Sequence, residues 1–191
     1  MTRRLAATLL ALAAGPAAAA DRPPPMPTRD VDVVYMMIQS DARGAPRVVE
    51  ERMRWAAGAG LLRIDPPTPG LWIVVNTRTR RMSTVRESDH SVLDIESAQA
   101  MPAPPPNADF LRHGTDTVAD VPCTEWRTTD MTGEATLACI TEDGVLLRAI
   151  AAGGVLLEAL HLSYAAQNLS VFEIPQDYRR IQPPPLKRAP P

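Results

Sequence analysis

Aromatic residues, cysteine and histidine are scarce in this chain. Only 4% of its 191 residues are Phe, Trp or Tyr, and it contains two cysteines and three histidines. Proteins that bind nucleic acids need a basic surface that neutralises phosphates and aromatic side chains on which bases stack. The formal net charge of −2 provides no such surface. The composition therefore excludes DNA and RNA as expected partners.

The N-terminus has the composition of an export signal. Arg3 and Arg4 precede an apolar stretch, 5–14, a Gly-Pro pair interrupts it, and three alanines end it before Asp21. This order predicts a signal peptide cleaved after Ala20 and hence a periplasmic or secreted protein. The apolar stretch is too short to span a bilayer, so we expect no transmembrane segment in the mature chain. That mature chain has 18 basic and 22 acidic residues, a formal charge of −4.

Three proline-rich stretches punctuate the rest of the chain. Proline fixes its own backbone and removes a hydrogen-bond donor, so such stretches continue neither a helix nor a strand. We expect a flexible segment at 21–29, a single half-barrel domain at 30–181 with a long internal loop at 98–108, and a disordered tail at 182–191.

Short alternating or apolar stretches separated by Gly, Pro, Asn and Asp predict a mainly β protein. Before the central loop, six strands are predicted at 31–38, 48–55, 61–64, 71–77, 80–86 and 91–95. Their close spacing favours a curved antiparallel sheet, or half-barrel, of meandering strands with one or two short helices. Helix candidates lie near 88–100 and 165–169, and 155–164 is predicted as a strand although its apolar spacing also fits a helix.

The two cysteines, Cys123 and Cys139, lie at equal distances from Met131. A hairpin centred on Met131 places them directly opposite each other, within disulfide reach if the pair is not hydrogen-bonded. We therefore predict a Cys123–Cys139 disulfide, as expected for two cysteines in an exported protein. The alternative is two free thiols buried in the core.

Asp143-Gly144 lies between two apolar runs. Both residues tolerate a positive φ, so the dipeptide predicts a two-residue hairpin loop. Such a loop pairs Thr141 with Leu146 and Ile140 with Leu147.

No catalytic constellation stands out. The chain has no nucleophile elbow and no phosphate-binding glycine loop, and its three histidines lack the spacing of metal ligands. Asp89-His90-Ser91 are adjacent, but neighbouring residues of a strand point to opposite faces and cannot form a relay. We interpret them as a solvated turn, and we expect no enzymatic activity, no cofactor and no metal.

A small basic cluster consists of Arg78, Arg80 and Arg81. The simplest interpretation is a charged hairpin tip that keeps sheet edges from pairing with other chains. The functional alternative is contact with anionic lipid headgroups or polymers.

Large apolar side chains are the remaining candidates for a functional surface. Met53, Trp55, Trp72 and Trp126 lie on predicted strands, where a packed core accounts for them. The alternative is an apolar ligand face, because a half-barrel has a concave side that something must cover.

Several short motifs resemble a known fold family. The segments that carry the resemblance are Arg52–Trp55, Leu62–Asp65, Leu71–Asn76 and Arg81–Val85. In this order they resemble the unclosed-barrel proteins of the periplasmic lipoprotein-carrier (LolA/LolB-like) type. Three later segments resemble a family of uncharacterised exported bacterial proteins with that fold: Val121–Trp126, Cys139–Arg148 and Phe172–Tyr178.

The resemblance implies a curved antiparallel sheet, partly closed by helices or loops, with an apolar face that holds acyl chains. We therefore expect a periplasmic, non-enzymatic protein that binds a lipid or other apolar ligand in its half-barrel, with lipids or lipoprotein acyl chains as partners. The alternative is a structural or interaction protein of the envelope whose core is filled by its own side chains.

Overall fold

A single sheet contains every strand that the computed structural model describes. The described residues are 22–40, 43–96, 109–129 and 133–181. The signal peptide, the central proline-rich loop and the C-terminal tail predicted above lie outside them.

The first six strands form the predicted antiparallel meander. Each pairs with the next through a short connection: Gly, Pro or Asn interrupts the apolar alternation at the first four corners, and the 3-10 helix Glu87–Asp89 joins β5 to β6. Their bounds are β1 Val31–Ser40, β2 Pro46–Ala56, β3 Leu61–Asp65, β4 Leu71–Asn76, β5 Arg81–Arg86 and β6 Ser91–Glu96.

A second meander follows the central loop. Its strands are β7 Leu111–Val118, β8 Val121–Thr129, β9 Ala135–Ile140, β10 Leu146–Ala151 and β11 Gly154–Ser163. Pairing of β11 with β1 joins the two meanders, and a last strand, β12 Arg179–Ile181, pairs in parallel with β6. The order across the sheet is β12-β6-β5-β4-β3-β2-β1-β11-β10-β9-β8-β7. The prediction of a mainly β, antiparallel and unclosed sheet is confirmed.

The β7 end of the sheet curls on itself. Strand β7 contacts β11 although three strands lie between them. The guanidinium of Arg148 on β10 donates to Asp116 on β7 and lies 3.6 Å from the carboxylate of Glu158 on β11. Neighbouring strands are about 4.8 Å apart, so a flat sheet would not bring Asp116 within reach of Arg148.

The two faces of the sheet carry different apolar clusters. What we call the core face presents Val31, Trp55, Leu62 and Val75, each at most 5% exposed. What we call the opposite face presents a smaller buried cluster made of Trp72, Val74, Val85 and Val92. The assignment follows from the register and from the alternation of side chains along each strand.

The C-terminal segment covers the opposite face. Residues 169–172 form a short 3-10 helix, and Phe172 within it is 4% exposed. Arg63 on β3 donates through Nη1 to the Val171 carbonyl at 2.5 Å, and the Arg179 amide donates to the His90 carbonyl at 2.8 Å. This segment, residues 169–181, is called the strap below.

Residues 22–29, expected to be a flexible segment, lie against the sheet. The Trp55 indole donates to the Pro27 carbonyl at 2.8 Å, and the Thr28 amide donates to the Asp143 carbonyl at 2.8 Å. Gly144 has a φ of +86° and its position leaves no space for a Cβ atom, which would lie 2.8 Å from the Met26 carbonyl oxygen. The turn after β9 therefore requires glycine for two independent reasons.

The predicted disulfide is present, but the hairpin register proposed for it is wrong. Cys123 and Cys139 are bonded, with their Cα atoms 5.5 Å apart. Cys139 lies opposite Glu125 rather than opposite Cys123. The bond is therefore diagonal between the two strands, because strand twist brings one pair of diagonal neighbours close together.

The loop at Asp143-Gly144 is one residue longer than predicted. The Gly144 amide donates to the Thr141 carbonyl, and the Thr141 amide donates to the Val145 carbonyl. The register shifts between Leu146 and Arg148, so Ile140 lies opposite Leu146 and not Leu147. A turn followed by a glycine at positive φ produces such a bulge.

The strand prediction for 155–164 is confirmed by β11, and the two helix candidates are wrong. Within 88–100, the described residues form the end of a three-residue 3-10 helix, Glu87–Asp89, followed by strand β6. Residues 165–168 are not helical, and the second 3-10 helix begins at Leu169. Pairing with β5 and β12 on its two sides determines the extended conformation of β6. Among the described residues, no helix is long and apolar enough to cross a membrane.

Candidate functional site

The core face is built from side chains that lie in register across the strands. Val31, Trp55, Leu62, Val75 and Met82 are consecutive partners from β1 to β5. The first four are buried and Met82 is half-buried. These residues form the closed part of the face, which supports the next row.

The next row is apolar and only half-buried. Met53, Ile64 and Ile73 are consecutive partners on β2, β3 and β4, and Thr84 links them to Leu93 on β6. Each of these side chains is half-buried, whereas Val33, the partner of Met53 on β1, is completely buried. We call Met53, Ile64, Ile73 and Leu93 the apolar row. It is a stripe of accessible apolar surface on the face that also carries the core.

One carboxylate stands beside the apolar row. Glu51 precedes Met53 by two residues on β2, so it points to the core face, and it lies opposite Tyr35. The Tyr35 hydroxyl donates to the Leu146 carbonyl at 2.7 Å and not to Glu51. Within the described part of the chain, Glu51 has no hydrogen-bond or ion-pair partner. Burial raises the pKa of Glu51. Burial, and to a smaller extent the negative charge of Glu51, raise the pKa of Tyr35.

Two of the four predicted apolar residues, Met53 and Trp55, are close together on the core face of β2. Trp126 on β8 lies opposite Ala138 and belongs to neither buried cluster. Several strands separate it from Met53, and its ring packs edge-on against Phe110.

Trp72 lies on the opposite face. Its indole donates to the Glu87 carboxylate at 2.8 Å, and the Arg63 guanidinium stacks on its ring at 4.1 Å. Trp55, Trp72 and Trp126 are 5%, 5% and 4% exposed. The three indoles are thus covered by other parts of the protein, and Met53 alone of the four residues offers accessible surface.

Charged side chains on the opposite face pair with one another. Asp65 accepts from Arg54 at 2.5 Å and from Arg63 at 2.7 Å. Although burial opposes its ionisation, the hydrogen bonds from Arg63 and Arg54 lower the pKa of Asp65 below its ordinary value. The Nε atom of Arg54 is buried without a hydrogen-bond partner in the described structure.

Glu87 fastens the strap to the opposite face. Its carboxylate accepts from the Tyr178 hydroxyl and from the Trp72 indole, and these two hydrogen bonds lower its pKa. The Tyr178 ring also packs against His90, with ring centroids 5.0 Å apart. The strap is therefore held at both of its ends, by Phe172 and by Tyr178.

The polar motifs noted in the sequence, Asp89-His90-Ser91 and the arginines at 78–81, form hydrogen bonds and ion pairs with neighbouring turns and strands. Ser91 donates to Asp89 at 2.7 Å, and His90 adopts a φ of 46° in the turn between them, so the three do not form a relay. Arg78 donates to the Gly58 carbonyl, and Arg81 lies 3.2 Å from Glu96. Among the residues that the structure describes, no group of three metal-ligating side chains is close enough to hold an ion.

Sequence reasoning missed most of the accessible apolar row. Ile64, Ile73 and Leu93 were assigned to strands but not to a surface, because isolated aliphatic residues are ordinary in strands. The alternation along β2, where Glu51, Met53 and Trp55 share one face, is the signal that would have identified Glu51.

Comparison with solved structures finds the same fold at low sequence identity. An uncharacterised conserved protein from Thermus thermophilus is matched over 82% of this chain and 91% of that protein, with a TM-score of 0.58 and 12% identity. MucB is matched over 79% of this chain and 59% of its own length, with a TM-score of 0.50 and 13% identity. A LolA superfamily protein from Nitrosomonas europaea is matched over 78% of this chain and 91% of that protein, with a TM-score of 0.42 and 10% identity.

MucB is also matched in a complex with MucA(peri), with a TM-score of 0.47 and 15% identity over 80% of this chain and 56% of that one. No protein-family model matches the chain, and no curated protein matches its sequence. The two matches with TM-scores of 0.58 and 0.50, the Thermus thermophilus protein and MucB, are at 12% and 13% identity, so this similarity concerns the fold alone.

The disulfide gives independent evidence about location. Cys123 and Cys139 are both bonded, and no described cysteine is free. Disulfides form and persist in oxidising compartments. The protein is therefore assigned to an extracytoplasmic environment.

Proposed function

We propose that this protein is a periplasmic, non-catalytic binding protein that holds an apolar ligand, such as an acyl chain of a lipid or lipoprotein, against the apolar row. The observation that carries the proposal is the half-buried stripe of Met53, Ile64, Ile73 and Leu93 on the face that also carries the core. Contiguous accessible apolar surface on a folded protein marks a binding surface more often than chance.

The distribution of cover on the two faces supports the same proposal. The opposite face of β3 to β6 lies under the strap, whose Phe172 is 4% exposed. The core face of the same strands keeps its second row half-accessible. An acyl chain laid along this row would contact side chains from β2, β3, β4 and β6.

A binding assay with matched variants tests the proposal. The mature chain, 21–191, is titrated with a fluorescent fatty alcohol, whose end group carries no charge, and Met53→Gln is compared with Met36→Gln. The two methionines are half-buried on β1 and β2, but Met36 lies on the opposite face. We expect Met53→Gln to weaken binding about tenfold, because a polar amide replaces apolar contact area, and Met36→Gln to leave it unchanged. Equal effects of both changes, or no binding by the unmodified chain, would contradict the proposal.

Native mass spectrometry of protein purified from its own envelope provides a second test. We expect a population whose extra mass equals that of a lipid, and repeated absence of such a mass would count against an acyl ligand. N-terminal sequencing of the same material tests the export step, because cleavage after Ala20 leaves Asp21 as the first residue. An N-terminus at Met1 would contradict the proposed signal peptide.

A second function is favoured by one separate observation. Three exposed apolar side chains lie close together on the opposite face of β2, β1 and β11. Ile38 lies opposite Val48, and they are 44% and 63% exposed, while Leu156, next to the Met37 partner Leu157 on β11, is 42% exposed. An envelope interaction protein would use such a surface for a partner. A photo-crosslinker at Val48 should then trap one defined partner in cells, and Ile38→Asp should abolish the adduct; a crosslinking pattern unchanged by Ile38→Asp would exclude this surface.

A further inference from the structure

Glu51 is a charged side chain on the core face that has no hydrogen-bond or ion-pair partner among the described residues. It is half-buried on β2, between the apolar residues Val49 and Met53 on the same face. A carboxylate withdrawn from water loses hydration energy unless a cation or hydrogen-bond donors replace the water. No described residue pairs with the Glu51 carboxylate, and its oxygens are not among the buried atoms without a partner, so water reaches them and a ligand can replace that water.

The neighbours of Glu51 cannot supply the missing contact. Tyr35, its partner on β1, directs its hydroxyl to the Leu146 carbonyl at 2.7 Å. On the other side of β2, pairing with β3 ends at Arg52 and Asp65, so no β3 residue lies opposite Glu51. Arg52 points to the opposite face, where it binds Asp32 at 2.8 Å.

Glu51 also lies next to the first residue of the apolar row. Met53, the first residue of that row, is two positions further along β2 and on the same face. The row continues past Met53 to the buried Val33, so a chain that lies along Ile73, Ile64 and Met53 ends about 7 Å from Glu51, the distance of two residues along a strand.

We infer that Glu51 is the polar recognition point of the site and that the ligand carries a primary ammonium group at one end of its apolar chain. This inference rests on the proposed function, because it concerns the ligand of the same row. An ammonium group offers three donors and a positive charge, which compensate a half-buried carboxylate better than a neutral hydroxyl does. A ligand with an anionic end would face repulsion at this position.

Three probes of equal chain length separate the end group from the chain. Dodecylamine, dodecan-1-ol and dodecanoic acid are titrated into the mature protein below their micelle concentrations at pH 7.5. We expect dodecylamine to bind at least about tenfold more tightly than the other two. Butylamine has the ammonium group without the long chain, and we expect it to bind much more weakly than dodecylamine.

Glu51→Gln and Glu50→Gln form a matched pair of variants. Glu50 is the preceding residue on β2, is exposed and points to the opposite face. Glu51→Gln should weaken dodecylamine binding about tenfold and change dodecan-1-ol binding less than about twofold, whereas Glu50→Gln should change neither. Circular dichroism of both variants verifies that they fold. If Glu51→Gln failed to fold, Glu51→Asp, which keeps the charge, would be compared with Glu50→Asp instead.

The outcomes distinguish this inference from the proposed function. If the three probes bind equally, or if Glu51→Gln leaves the preference for dodecylamine intact, the inference fails while the proposed function stands. If none of the three probes binds, the proposed function fails and the inference with it. Displacement of bound dodecylamine by lysophosphatidylethanolamine but not by lysophosphatidylglycerol would identify a phospholipid headgroup as the source of the ammonium group. Displacement by neither lysolipid would identify a simple amine.

Discussion

The two faces of strands β3 to β6 differ in what covers them. On the opposite face, the chain provides its own cover, because the strap places Phe172 and Tyr178 over Trp72 and its neighbours. Hydrogen bonds to Glu87 and Asp65 compensate the polar groups there. On the core face, the second row remains half-accessible and Glu51 has no partner among the described residues. The same strands therefore carry one face that the chain itself covers and one face that it leaves partly accessible. The partly accessible core face is the better candidate for a ligand.

The largest expected effect comes from removing the cover of the opposite face. Phe172→Ala should lower the free energy of unfolding by about 3–5 kcal/mol, because it leaves a cavity under the strap. Urea denaturation measures the loss. Fatty alcohol binding per folded molecule should remain unchanged, since Phe172 does not contribute to the core face. A loss of binding in the folded fraction would show that the two faces are not independent.

The disulfide should contribute the next largest effect on stability. Replacing Cys123 and Cys139 by alanine should lower the free energy of unfolding by about 3 kcal/mol, the expected value for a loop of this size. Both cysteines belong to the buried cluster against which Met53, Ile64 and Ile73 pack. Thermal denaturation with and without reductant should show the same difference in the unmodified protein. Insensitivity to reductant would contradict a structural role for the bond.

Asp65 tests whether charge pairing maintains the opposite face. Asp65→Asn should lower the free energy of unfolding by about 2 kcal/mol, since Arg54 and Arg63 are then left half-buried without their shared carboxylate. The pKa of Asp65 is lowered in the folded protein. Its contribution is therefore present above its ordinary pKa and is lost as the pH falls through the folded value. The difference between the two proteins should shrink in acid, and a constant difference down to pH 2 would refute the assignment.

The contribution of Glu51 to stability should depend on pH in the opposite direction to that of Asp65, and it should be smaller. Its pKa is raised by burial from 4.5, so the charged form is disfavoured in the folded state. Stability associated with this group is fully present below pH 4.5 and is lost as the pH rises through the folded value. Glu51→Gln should therefore stabilise the protein slightly at pH 7 and not at pH 3, with Glu50→Gln as the control. Destabilisation by Glu51→Gln at pH 7 would indicate a partner that compensates the carboxylate.

Much of the fold was accessible from local sequence patterns. Alternation and turn residues located the first six strands and β11, and the two cysteines identified their own pairing. β7 was missed because Leu111–Val118 is mostly polar, and β12 was missed because three residues carry no periodic signal. The diagonal position of the disulfide depends on strand twist, which a residue count does not show.

The candidate site was only partly predictable, for a related reason. The side of the sheet that Trp72 occupies depends on the length of the loop before β4, which places Ile64 opposite Ile73. A change of one residue in that register would have moved Trp72 to the core face. The chemistry of Glu51 likewise depends on the neighbours that the fold provides, and its own residue type gives no indication of them.

The pairing of β1 with β11 has a consequence for how the chain folds. Asp32 lies opposite Ser163, so the strand that emerges first in synthesis finds one of its two neighbours only near the end of the chain. Closing such long loops is entropically costly before any contact compensates it, and sheets with distant pairings fold in milliseconds to seconds. During that interval β1 has one free edge that other chains can pair with. We therefore expect refolding to be slow and sensitive to protein concentration, with the joining of the two meanders as its late step.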